Sequence, residues 1–261
     1  MENAPVLNKT NSSTMTGAVL KWIALVSMLI DHSAVVMIEQ GLRVAQGWDL
    51  TIYHIDLFFR TLGRLAFPIY CFLLAEGFRH TRSRGRYLAR LLIFALLSEL
   101  PFDLALQRSF LELRYQNVFL TLALGLLAIW ANCQLVGAGA ARRLSFWRIL
   151  CACAATAGLM AAAHLANTDY GAMGVLLILV MYLLRGRPWL RDICVMLTLA
   201  GMLLFHSHWI ELFGGLSLIL IHAYNGERGR QSKYLFYAFY PGHLLVLTVI
   251  RAVVFGSWLI Q

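Results

Sequence analysis

An aspartate and a histidine stand side by side inside an apolar run, Leu29-Ile30-Asp31-His32-Ser33. Hydrocarbon tolerates ionisable groups poorly, so such a pair marks a functional site by default. Imidazole titrates near neutrality and can take a proton and return it, which makes His32 a candidate general base. The competing reading is a core histidine bonded to a neighbouring helix. Adjacent helix positions point about 100° apart, so Asp31 is not expected to orient His32 itself. A cation on another helix is the better partner for Asp31, and Arg64 is the candidate.

Other ionisable residues fall in or at the ends of apolar stretches. Gly63-Arg64-Leu-Ala-Phe67-Pro68 combines a small residue for close helix approach, a cation that could instead snorkel outward, and a proline expected to kink its helix and free a carbonyl. Glu76 precedes a basic run, Arg79-His80-Thr-Arg82-Ser-Arg84-Gly-Arg86. Guanidinium grips phosphate bidentately, so these five are candidates for the phosphates of a cytosolic nucleotide-like cofactor. The plainer alternatives are a Glu76 pair with Arg79 or Arg82 and a run that merely marks a cytoplasmic loop. Ser98-Glu99-Leu-Pro101-Phe-Asp103 sets two carboxylates beside a helix-breaking proline, and they are expected to face a wet cavity. Asn117 and Thr121 share one helix face and suit either that cavity or helix-to-helix bonding. His243, in Tyr240-Pro241-Gly-His243, is expected in the first turn of the last span. His206-x-His208 with Glu211 invites a metal reading, but rings at that spacing point apart and no metal is expected. The five cysteines form no Cys-x-x-Cys, so neither a disulfide framework nor a zinc site is indicated.

The elements that must carry these residues are helices in a membrane. Of the 261 residues 60% are hydrophobic and 13% charged, against about 45–50% and about 25% in soluble domains. Apolar stretches at 19–38, 62–78, 88–106, 118–136, 146–165, 171–184, 192–207, 209–222 and 236–258 predict an all-α polytopic bundle of about nine spans, eight to ten. With a cytoplasmic N-terminus, sixteen of the 22 Lys and Arg fall in inner loops and four in outer ones, which obeys the positive-inside rule. The net charge of +9 is accounted for in that way, and no nucleic-acid partner is expected. Residues 1–16 read as a disordered cytoplasmic tail, 17–261 as one transmembrane domain, and 39–61 as an outer segment lying at the membrane surface.

Taken in order along the chain, Asp31-His32, Gly63-Arg64-x-Ala66-Phe67-Pro68, Glu76-Gly77-Phe78-Arg79-His80-Thr81, Ser98-Glu99-x-Pro101-Phe102-Asp103, Asn117-x-x-x-Thr121, Tyr170-Gly171-x-x-Gly174 and Tyr240-Pro241-x-His243 resemble the TraX family. That family is named for a conjugative-plasmid protein that acetylates the N-terminus of F-type pilin, and it is similar to the integral-membrane acyltransferases. The Glu76 and Ser98-to-Asp103 segments look more like its chromosomal branch.

The resemblance implies an acetyltransferase in the bacterial inner membrane. Acetyl-CoA would dock on Arg79, His80, Arg82, Arg84 and Arg86. His32 would act as base or carry the acetyl group, and Arg64 would hold Asp31 or the oxyanion. Glu99, Asp103, Asn117 and His243 would line the cavity and position an acceptor, whether a pilin N-terminus, a glycan or a lipid. Two rivals stand beside it. One is a proton-coupled transporter or flippase, although no internal repeat is evident. The other is a non-catalytic partner in pilus or envelope assembly.

Overall fold

The computed structural model describes residues 15–42, 49–137, 145–206, 209–230 and 233–256, and every regular element among them is helical. Most of the tail expected over 1–16 lies outside the described residues. So do Arg43, Arg142, Arg143 and His208, together with the side chain of His206.

Helix α1 (Gly17–Ser33) opens at Thr16, whose hydroxyl accepts from the Val19 amide. It continues without a break as a π-helical segment, Ala34–Leu42. Together Gly17–Leu42 is long and apolar enough to cross a membrane. The outer segment expected over 39–61 contains most of helix α2 (Leu50–Gly63). The helix is started by Asp49, whose carboxylate accepts from the Ile52 amide at 2.7 Å. A cap followed by a mostly apolar run carries the helix through Asp56 and Arg60.

After a turn at Arg64 and Leu65 the chain resumes as α3 (Ala66–His80). Pro68 therefore sits in the first turn of α3, where its missing N–H costs nothing. It does not kink a helix as the sequence suggests.

Helix α4 (Arg84–Phe102) carries Pro101 in its last turn and widens directly afterwards into a second π-helical segment, Asp103–Gln107. Next come α5 (Val118–Leu135), α6 (Phe146–Leu165), α7 (Gly171–Leu183) and α8 (Pro188–His206). A 3-10 segment (Trp209–Leu216) leads into α9 (Ser217–His222), and α10 (Lys233–Phe255) closes the chain. Because α10 begins at Lys233 and runs through Pro241, His243 lies in mid-helix and not in a first turn.

Among the described residues, five helical runs meet the length and apolarity of a membrane span: Gly17–Leu42, Leu50–His80, Val118–Leu135, Phe146–Leu165 and Tyr234–Phe255. Helix α1 packs on α2 and α3, α3 packs on α7, and α5 lies among α4, α6 and α7. Helix α10 closes over α4 and both π-helical segments. Helix α6 buries only Ala152 and Ala163 and leaves Phe146, Trp147, Ile149 and Leu150 exposed, a face suited to lipid.

The contact between α1 and α2 depends on one glycine. A Cβ on Gly63 would stand 2.3 Å from Asp31 Cβ and from its carboxylate oxygen. Gly63→Ala must therefore push α1 and α2 apart. Overpacking of this kind costs about 1–3 kcal/mol. The variant is expected to unfold at a lower temperature in detergent than Gly85→Ala, whose site has open space.

Candidate functional site

The centre of the bundle holds an ion network. The Arg64 guanidinium donates from Nη2 to both Asp31 oxygens, at 2.6 and 2.7 Å. From Nη1 it donates to Glu211 Oε1 at 2.7 Å. Arg60 adds a 2.8 Å pair to Asp31 and a 3.2 Å pair to Glu39. Asp31, Arg64 and Glu211 are all buried. Such a constellation persists only when each charge is matched, because an unmatched ion in a low-dielectric interior costs several kcal/mol. The fork of Arg64 bridges three elements: α1, the turn before α3, and the 3-10 segment.

His32 does not touch this network through a hydrogen bond. Its Nδ1 lies 2.7 Å from His243 Nε2, with the two rings stacked at 5.0 Å. Tyr240 meets His32 edge-on at 5.9 Å. As the sequence predicts, Asp31 takes Arg64 while His32 turns elsewhere.

A third group comes from the turn between α6 and α7. Asn167, Tyr170 and Gly171 have φ of 45°, 62° and 46°. For Tyr170 this left-handed backbone is strained, and surrounding structure must hold it. Gln116 clamps the turn from both sides, donating to the Asn167 carbonyl at 3.1 Å and accepting from the Asp169 amide at 2.9 Å. Thr121 donates to the Asp169 carbonyl and bonds Thr168. The result stacks Tyr170 flat on Phe67 at 3.6 Å and points Asp169 at the Tyr115 hydroxyl, which donates to it at 3.0 Å. Burial pushes the Asp169 carboxyl up to about 6, against the pull of the Tyr115 hydrogen bond. The Asp169 charge in turn raises Tyr115 above the ordinary phenol range.

All three groups border one cavity of about 1000 Å³. One end is walled by Asp31, His32, Arg60, Arg64, Asp169, Tyr170 and Glu211. The cavity runs along α1 past Met28 to Lys21, roughly 16 Å away at 1.5 Å per residue. There it is bordered by His80, Arg82, Arg90 and Arg228. The N-terminus of α1 is tied to the loop carrying Arg228, with the Gly17 amide donating to the Glu227 carbonyl at 2.8 Å.

The expected basic run is thus divided. His80 and Arg82 reach the cavity. Arg79 instead pairs with Glu76 at 2.8 Å, Arg84 lies over the Phe78 ring, and Arg86 does not border the cavity. Lys21, Arg90 and Arg228 complete the set. They are legible in the sequence only as charges of separate inner loops.

Glu99, Asp103, Asn117 and His243 do not line the cavity as expected. Asn117 caps α5 and ties it to α4, donating to the Ala95 carbonyl at 2.8 Å and to the Glu99 carboxylate. Asp103 accepts from the Glu112 amide at 2.8 Å. These four residues reach one another or the backbone in preference to open space, because buried polar groups take the nearest partner.

Sequence reasoning meets Glu211 only in the metal reading and Arg60 only as an outer-loop charge, although Glu211 stands among apolar residues and the rule that flags Asp31 flags it equally. The metal reading of His206 and His208 lies outside the described side chains. Among the described residues no group of three His, Cys, Asp or Glu is arranged to hold a metal.

Apolar helices closed around an ion network and an internal cavity define a helical membrane protein with a polar site in its interior. Residues 16–251 match the TraX protein family, and the chain belongs to it. It is similar to the probable fimbrial assembly protein FimC, serogroup H1, of Dichelobacter nodosus, with 29% identity over 258 residues, 87% of this chain and 92% of that one. No solved structure matches it.

Proposed function

We propose that the protein is a membrane-embedded acyltransferase of the bacterial inner membrane that passes an acetyl group from acetyl-CoA to an acceptor in the cell envelope. The observation that carries this reading is the single cavity joining a basic mouth to His32. With nine spans and a cytoplasmic N-terminus, the mouth opens toward cytosolic acetyl-CoA. Lys21, Arg82, Arg90 and Arg228 hold its phosphates, with His80 beside them. The pantetheine arm lies along α1 and brings the thioester to His32. His32 takes the proton from the acceptor N–H or O–H as that atom attacks the carbonyl carbon, and the thiolate leaves. In this reading Arg64, held between Asp31 and Glu211, fixes the wall of the site.

The basic mouth has a direct consequence. Hydrogen bonds to charged groups contribute about 1.5–3 kcal/mol, and 1.4 kcal/mol is about tenfold in affinity. Arg82→Gln with Arg228→Gln is expected to raise KM for acetyl-CoA about tenfold or more while kcat changes little. Arg84→Gln and Arg86→Gln, which alter cations away from the cavity, should leave KM unmoved.

The fimbrial relative supports a pilus or fimbrial component as acceptor. It also favours a second reading, an assembly role without catalysis. Mass spectrometry of envelope proteins, glycans and lipids from cells with and without the protein separates the two. An acetylated species that disappears with the protein supports the enzyme. Unaltered acetylation together with lost fimbriae supports the assembly role.

A further inference from the structure

Two hydrogen bonds determine which nitrogen of His32 is free. His243 Nδ1 lies 2.7 Å from the Phe239 carbonyl oxygen. A carbonyl only accepts, so His243 Nδ1 carries a proton and donates it. A neutral imidazole has a single donor nitrogen, so His243 Nε2 accepts. Its partner is His32 Nδ1 at 2.7 Å, which therefore donates. The proton of His32 then sits on Nδ1 and the lone pair on Nε2. His32 borders the cavity while His243 does not, and none of the described residues bonds His32 Nε2.

The local fold holds His243 for this task. Phe239 stacks on its ring at 4.9 Å, one helical turn back, and Tyr240 meets it edge-on at 5.8 Å. The acceptor for Nδ1–H is a main-chain atom of the same helix, so it cannot be removed by moving a side chain.

We infer that His243, backed by the Phe239 carbonyl, is a positioning residue that fixes His32 in the Nδ1–H tautomer and so presents Nε2 to the cavity as the base. The inference rests on His32 being the base of acyl transfer. In that step Nε2 takes the proton of the acceptor N–H or O–H as the new N–C or O–C bond forms. The thioester C–S bond breaks, and the thiolate recovers the proton from Nε2. Between those events the His32 ring carries both protons, and its Nδ1–H bond to His243 spreads the charge. An aspartate has this orienting role in Ser-His-Asp triads. Here a neutral ring and a carbonyl perform it without burying another anion.

The test uses full-length protein labelled with nitrogen-15 histidine in lipid nanodiscs. Nitrogen spectra separate protonated from bare ring nitrogens, and His32→Gln assigns the His32 signals. The wild type is expected to show His32 protonated at Nδ1 and bare at Nε2. His243→Phe keeps the ring shape without the acceptor. It should mix the tautomers and lower kcat about 10–100-fold, part of the roughly 10²–10⁴ that general acid–base catalysis contributes, while KM for acetyl-CoA stays near its wild-type value. His243→Gln, whose carboxamide oxygen can accept, should restore most of both. If His243→Phe does not fold, the wild-type and His243→Gln spectra still answer the question. A wild-type His32 protonated at Nε2, or a His243→Phe spectrum identical to wild type, overturns the inference. The inferred tautomer in a protein without acyl transfer would overturn the functional reading alone.

Discussion

His32→Ala protein is expected to insert into the membrane at wild-type levels and to lose acyl transfer by about 10²–10⁴-fold, the usual contribution of a positioned acid–base group. The two halves of that result come from different observations. Insertion survives because the ion network of Arg64, Asp31, Glu211 and Arg60 makes no hydrogen bond to His32. Activity falls because His32 is the imidazole at the inner end of the cavity, with His243 behind it and away from the lining. Initial rates of label transfer from acetyl-CoA in membranes matched for protein content check both halves. A rate within twofold of wild type would remove His32 from the chemistry. Loss of the protein from the membrane would show that the ring acts in packing.

The second large effect is on stability. Arg64→Met is expected to destabilise the fold by about 3–5 kcal/mol, since breaking a buried pair leaves a charge without compensation. Asp31 would retain Arg60 at 2.8 Å, whereas Glu211 would lose its 2.7 Å partner. Glu211 is thus the stranded charge. The double variant Arg64→Met with Glu211→Gln should therefore recover a substantial part of the loss, a non-additivity expected of residues in one network. Arg64→Lys should recover little, because a single ammonium cannot reproduce a fork reaching two carboxylates on different elements. The fraction of detergent-solubilised protein that stays monodisperse on heating measures all three. Equal loss in the single and double variants would contradict the assignment of Glu211 as the stranded partner.

The parts of this site that are legible in the sequence are those where a polar residue has no solvent to retreat to. Asp31 and His32 stand out for that reason, and the same reasoning selects Arg64 as the partner of Asp31. Apolar stretches likewise mark where helices fall. Two features are harder to read. Glu39, Asp49 and Asp56 mark 39–61 as an outer segment, and nothing in that pattern tells that Arg60 turns to Asp31 and Glu39. Arg79 to Arg86 look like one phosphate-binding patch, although α3 ends at His80 and α4 starts at Arg84, so successive arginines point to different faces.

The contributions of Lys21, Arg90 and Arg228 depend on which helix ends meet. That is a tertiary fact with no local signature. The role of Gln116 in clamping the turn at Asn167 to Tyr170 is of the same kind, since its partner lies about fifty residues away. Glu99, Asp103 and Asn117 stand out in the sequence as polar groups in apolar stretches, and the fold buries Asp103 and Asn117. Spacing does not tell that Asn117 bonds Glu99 and that Asp103 bonds the Glu112 amide, away from the cavity.

The measurement that tests the account most directly is label transfer by the purified protein in nanodiscs, given radiolabelled acetyl-CoA and an envelope extract from cells lacking the protein. Label is expected to move from acetyl-CoA to an envelope component with the wild type and not with His32→Ala. Label that stays on acetyl-CoA with the wild type, or moves equally with both, would contradict it.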